Sequence, residues 1–210
     1  MNIIYLLFHG LSPYSGISKK ILHQVKGFEA CGHRVSLCTY SIADNGHRVR
    51  MINNEIIEDY GTGKPAAAKR RVSYQCIYRY AITHQVELIY VRSFHNANPF
   101  TIRLFSKLRK AGIKIAMEIP TYPYDSEYAG FPLVTRLGIQ VDKVFRKTLA
   151  KHVNAIVTFS DYHCIFGQRT IQISNGVDFD SIPLKKTVSK NTSVIHLLGR
   201  SEERRVGKEC

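Results

Sequence analysis
Short runs of apolar, β-branched residues alternate along this chain with longer segments of helical period, and no other feature limits its fold as tightly. Residues 3–8 form a continuous apolar run, as expected of a strand buried on both faces. Residues 17–31 then place Ile17, Ile21, Leu22, Val25 and Phe28 on one helical face, with Lys19, Lys20 and Lys26 toward water. Gly32 follows at the position where a left-handed cap ends a helix. The pattern repeats: strands at 34–40, 50–57, 86–92, 113–118, 155–159 and 170–173; helices at 64–85, 99–111 and 132–153. In the last of these helices Leu133, Leu137, Val141, Val144, Phe145 and Leu149 recur at helical spacing. Strands separated by helices imply an α/β fold, a Rossmann-like parallel sheet flanked by helices.

Such a sheet binds ligands beyond the carboxyl ends of its strands. The loops to inspect are therefore 9–16, 92–98, 118–128, 160–166 and 174–178. Apolar residues make up 44% of 210, enough for one sizeable α/β domain. The net charge is +14; residues 200–210 hold four basic and three acidic groups, so +13 belongs to the rest. Basicity of this size favours anionic partners: nucleic acid, acidic lipid headgroups or phosphorylated substrates. No RNP motif, zinc finger or helix-turn-helix pattern accompanies it, so nucleic acid is not the expected partner. The basic residues cluster on helices, among them Lys69, Arg70 and Arg71, and further along Arg136, Lys143, Arg146, Lys147 and Lys151. Any one of them is by default a solvated residue; together they suggest a positive flank.

Cys31, Cys38, Cys76 and Cys164 show no metal-ligand spacing and read as free thiols of a reducing compartment. The N-terminus lacks the basic region and apolar length of a signal peptide, and no run reaches membrane-spanning length. The expectation is a cytoplasmic protein, with a peripheral position on the inner membrane face as its one membrane option.

Within the cleft loops, Tyr14-Ser15-Gly16 opens a helix whose free N–H groups suit a phosphate or an acceptor oxygen. There is no G-x-G-x-x-G and no Walker lysine, which tells against dinucleotide and ATP binding. Glu118-Ile119-Pro120-Thr121-Tyr122-Pro123-Tyr124-Asp125 ends a strand on a carboxylate and presents aromatic faces and hydroxyls, the two things a sugar needs. Glu118 is the candidate catalytic residue; its plainer reading is a strand-end ion pair. Arg92 faces the same choice, a phosphate or Glu118 as its partner. Thr121, Tyr122, Ser160 and Asn175 complete the candidate substrate-binding set with Ser15, Gly16, Arg92 and Glu118. His95 and His163 have no second ligand at metal spacing, so no metal is expected. A Ser–His–Asp hydrolase is disfavoured, because no G-x-S-x-G elbow is present.

Ala155-Ile156-Val157-Thr158-Phe159-Ser160, Phe166-Gly167 and Ile171-Gln172-Ile173-Ser174-Asn175-Gly176-Val177-Asp178 carry a resemblance in their order. They resemble the exit from the N-terminal, acceptor-side domain of GT-B-fold retaining glycosyltransferases, family 4 in particular. The resemblance spans about residues 1–199. It implies transfer of a sugar from a nucleotide-sugar donor to a glycan or lipid-linked acceptor in polysaccharide or cell-surface glycan biosynthesis. It implies no metal and no cofactor beyond that donor. Gly16 matches one glycine of the family's Gly-Gly pair, and Ser15 departs from the other. Residues 1–178 are then the glycosyltransferase-like domain and 179–192 an inter-domain linker. Residues 193–199 would open the second, donor-binding domain. Residues 200–210 lose all apolar period and resemble the translation of a sequencing adapter, so they read as an artefactual tail on a truncated and inactive chain. Two rival readings stand beside this one: a basic α/β module that binds nucleic acid or membrane without catalysis, and a nucleotide-sugar epimerase of GT-B fold.

Overall fold
The structure, a computed structural model, describes residues 1–93, 96–124 and 133–174, all within one compact unit, Met1–Val177. The expected linker, the strand at 193–199, the tail at 200–210, His95 and Asn175 lie outside the described residues. Among the described residues, nine strands and five helices follow in the order β1 (Asn2–Leu6), α1 (Gly16–Ala30), β2 (Arg34–Ile42), β3 (Arg48–Ile52), β4 (Glu55–Asp59), α2 (Gly63–Val72), α3 (Gln75–Thr83), β5 (Leu88–Arg92), α4 (Pro99–Lys110), β6 (Lys114–Ile119), α5 (Leu133–Ala150), β7 (Ala155–Thr158), β8 (Cys164–Ile165) and β9 (Gln168–Gln172).

The strands form one sheet in the order β4-β3-β2-β1-β5-β6-β7-β9-β8. From β2 to β9 every neighbouring pair is parallel; β3, β4 and β8 join antiparallel at the two ends. The molecule is thus α/β with a mostly parallel, Rossmann-like sheet. β1 shows why its sequence is apolar throughout. Ile4 and Leu6 enter one core with α3, α4 and α5, while Ile3, Tyr5 and Leu7 enter another with Ile21 of α1. Alternation along the strand sends successive side chains to opposite faces, and both faces are covered.

Helix ends follow their local chemistry. Asn98 caps α4 by accepting from the backbone N–H groups of Phe100 (2.9 Å) and Thr101 (3.1 Å). Thr101 Oγ1 returns the favour to the Asn98 N–H at 3.0 Å, and Pro99 sits in the first turn, where its missing donor costs nothing. Gly32 and Gly112 end α1 and α4 in the left-handed region, at φ +79° and +83°.

Three departures from the sequence reading have physical causes. The single strand expected at 50–57 is a hairpin. Asn53 and Asn54 both adopt positive φ, as a two-residue turn of the I′ kind demands and as Asn tolerates. The single helix expected at 64–85 is two, because Ser73 takes an extended backbone and Tyr74 is buried, its hydroxyl donating to the Arg71 carbonyl at 2.9 Å. The third concerns α5. Leu133, Leu137, Val141 and Val144, the apolar residues at helical spacing, are 72, 61, 44 and 71% exposed. The helix instead buries Ile139, Asp142, Leu149 and Ala150. Asp142 decides the face: it accepts from the Ala97 N–H at 2.9 Å and from the Tyr124 hydroxyl at 2.8 Å. Two hydrogen bonds to a buried carboxylate outweigh an apolar stripe whose own exposure is tolerated.

Candidate functional site
Parallel pairing in register brings the carboxyl ends of β1, β5, β6 and β7 to one edge of the sheet. Arg92 and Glu118 are direct partners in the β5–β6 register. Their side chains form an ion pair, Arg92 Nη1 donating to Glu118 Oε1, with Glu118 fully buried and Arg92 nearly so. The other carboxylate oxygen accepts from the Tyr90 hydroxyl at 2.7 Å and from the Gln24 side-chain amide at 2.8 Å. Tyr5 donates to Gln24 Oε1 at 2.6 Å, and its ring lies 5.0 Å from that of Tyr90. Four elements, β1, α1, β5 and β6, therefore meet at one carboxylate. Burial, and then the Glu118 charge, push the Tyr90 and Tyr5 phenols well above their ordinary range. Both remain neutral donors at any physiological pH.

The arrangement suits a strut better than a reagent. Every described contact of Glu118 is to a protein donor, and none of its surface reaches solvent. Gln24, Tyr90 and Tyr5 were not foreseen from the sequence. Gln24 sits on the helix 94 residues away from its partner, and no local pattern signals such a pair.

The loop after β6 behaves differently. Thr121 is exposed. The Tyr122 N–H donates to Ser160 Oγ at 3.0 Å, fixing this loop to the end of β7. The Tyr122 ring meets the Tyr162 and Phe166 rings edge-on at 5.1 and 5.5 Å, and the Tyr122–Pro123 peptide bond is cis. Tyr162 is 47% exposed, so the group offers an open aromatic face beside hydroxyls. Ser15 caps α1, its hydroxyl accepting from the Ser18 N–H at 3.5 Å. A side chain at Gly16 would touch nothing within 4 Å, so the helix opening is unobstructed there. Lys20, one turn along, lies 3.3 Å over the Phe159 ring and draws the start of α1 toward the end of β7. Ser15, Gly16, Tyr122 and Ser160 thus lie along the carboxyl edge, while Arg92 and Glu118 are buried beneath it. His163 is exposed, and among the described residues no three His, Cys, Asp or Glu side chains converge as metal ligands would.

Arg48, Arg50, Arg70 and Arg71 stand at the same edge; Arg70 and Arg71 belong to the basic cluster noted in the sequence, and Arg48 and Arg50 join them from β3. The sequence matches no known protein family and no curated protein.

Proposed function
We propose that this chain is the acceptor-side domain of a retaining, GT-B-type glycosyltransferase that builds a polysaccharide or a cell-surface glycan. The observation that carries the reading is the aromatic and hydroxyl group at the carboxyl edge, Tyr122, Tyr162 and Ser160, beside the open N-terminus of α1. Rings in contact with hydroxyls bind sugars by stacking and hydrogen bonding together. The order of the Ser160, Phe166-Gly167 and Ser174 to Asp178 segments supports it from the sequence side. In this reading the nucleotide-sugar donor is held mainly by a second domain, and this domain presents the acceptor. Leaving-group charge would be met by basic side chains and helix N-termini.

Saturation-transfer NMR with a panel of soluble oligosaccharides tests it. The expected result is transfer to glycan protons that is lost in Tyr162→Ala and reduced in Tyr122→Ala. No transfer from any glycan, or equal transfer in both variants, refutes it. A nucleotide-sugar epimerase would instead convert its donor with no acceptor present.

A peripheral place on an anionic membrane is the companion proposal, and α5 favours it. Its exposed stripe, Leu133, Leu137, Val141 and Val144, runs beside exposed Arg136, Lys143 and Lys147. An apolar face edged with basic residues is the composition of a helix that lies in a membrane interface. No described helix is long and apolar enough to cross one.

A further inference from the structure
Four arginines stand at the carboxyl edge next to β1, and among the described residues no carboxylate pairs with them. Arg50 is 1% exposed, on a strand whose register sets it opposite Tyr40. Its Nη1 donates to the Leu7 carbonyl at 2.8 Å, just past the end of β1, and its guanidinium lies 5.9 Å from the Phe8 ring. Its Nε is buried with no hydrogen-bond partner. Arg48 and Arg70 converge on Tyr40. Arg48 Nη1 donates to the Tyr40 hydroxyl at 2.7 Å, and the Arg70 guanidinium lies 4.2 Å over the ring. The Arg70 Nε is also buried and unpartnered. Burial first, then the charges of Arg71, Arg48 and Arg50, hold the Arg70 guanidinium below its ordinary range, against the pull of Tyr40. Arg71 is exposed on the next position of α2.

Among the described residues, no Asp or Glu lies within ion-pair distance of any of the four. Glu58 stands opposite Arg50 in the β3–β4 register, yet it pairs with Arg79 at 3.7 Å. A buried guanidinium without a counter-charge is costly, and so is a buried N–H without an acceptor. Like charges held together add to that cost. An oxyanion beside the guanidinium groups would supply the missing counter-charge and offset their mutual repulsion. Guanidinium forks match phosphate oxygens in pairs, which is why arginine is favoured where phosphate is recognised. The place is also right, since ligands of parallel sheets bind beyond the strands' carboxyl ends.

We propose that Arg48, Arg50, Arg70 and Arg71 form a binding site for a phosphoryl group, carried either by a small phosphate ester or by a lipid headgroup. Arg48 and Arg70, gathered on Tyr40, and exposed Arg71 would face the phosphoryl group, with the Arg50 charge buried behind them. The site needs no glycosyl transfer, so it stands or falls apart from the proposed function.

The test is isothermal titration of the full chain with inorganic phosphate, with glucuronate, and with phosphatidylglycerol vesicles in a phosphatidylcholine background. Arg48→Gln, Arg70→Gln and Arg71→Gln are compared with Lys110→Gln, which removes the same charge from an exposed helix end. Circular dichroism checks the fold of each; exposed Arg71 can be replaced without disturbing packing. The expected result is saturable binding of phosphate or of the anionic vesicles. Each arginine variant should weaken it about tenfold, or about 1.4 kcal/mol, with no change in Lys110→Gln. Binding of phosphate alone marks a soluble ester as the ligand; binding of vesicles alone marks a lipid headgroup. The proposal is overturned if neither binds, if glucuronate binds more tightly than both, or if Lys110→Gln weakens binding as much as the arginine variants.

Discussion

Replacing Glu118 by alanine separates a strut from a reagent. The substitution leaves the Arg92 guanidinium, 7% exposed, without its counter-ion. It also takes the acceptor from the Tyr90 hydroxyl and the Gln24 amide. Removing one partner of a buried pair costs about 3–5 kcal/mol, because the surviving charge stays desolvated. That is a large part of the 5–15 kcal/mol that holds a typical domain together. At about 2–4 °C per kcal/mol for a chain of this size, the melting temperature should fall by about 6–20 °C. Urea unfolding followed by far-ultraviolet circular dichroism measures the loss directly. The double replacement Arg92→Met with Glu118→Met should recover most of it, since an apolar pair of similar volume leaves no charge stranded. Glu118→Gln should fall between, keeping the shape and losing the charge. A Glu118→Ala loss below about 1 kcal/mol, the value of an exposed pair, would refute the strut and return Glu118 to the list of reactive groups.

Three further outcomes follow from the same structure. Burial holds the Cys38 thiol up to about 12 and raises the Tyr5, Tyr60, Tyr90 and Tyr124 phenols. These groups are neutral acids whose folded pKa exceeds the unfolded one. Their contribution is whole below the free values of about 8.5 for thiol and about 10 for phenol, and is lost as pH rises. Urea midpoints should hold steady to about pH 8 and then fall; a midpoint that rises from pH 9 to 11 contradicts this. Leu137→Ser with Val144→Ser should abolish co-sedimentation with anionic vesicles while leaving the melting temperature within about 2 °C, because both side chains are already exposed. Unchanged binding would mean that α5 is not the membrane face. Asn98→Ala should cost about 0.5–2 kcal/mol in urea unfolding by removing the cap of α4, and a neutral result would show the capping box to be redundant.

Much of the architecture was legible because burial on two faces forces continuous apolar strands, as in β1, and amphipathic helices between them. What escaped was set by contacts distant in sequence. The apolar stripe of α5 resembled a core face until Asp142 met Tyr124 and the Ala97 amide, and those bonds turned the helix over. The Asn53-Asn54 turn was available as a hairpin signal, but two polar residues inside an otherwise strand-like run masked it. At the candidate site, the Arg92–Glu118 pair was one of two options named for each residue. Its support from Gln24 could not be foreseen, because nothing local in α1 points to β6. Arg50 was least legible of all, since an isolated arginine in a strand implies an outward side chain, and here it is buried.

The two antiparallel ends of the sheet also govern how this domain can join others. An unpaired strand edge is an invitation to further strands, from another domain or another copy. Here one margin is β4, five residues long, with Glu55, Glu58 and Asp59 among them. The other ends in β8, which is two residues long. Charge at one margin and brevity at the other leave little ladder for a newcomer to extend. Among the described residues, neither margin thus favours the addition of a further strand.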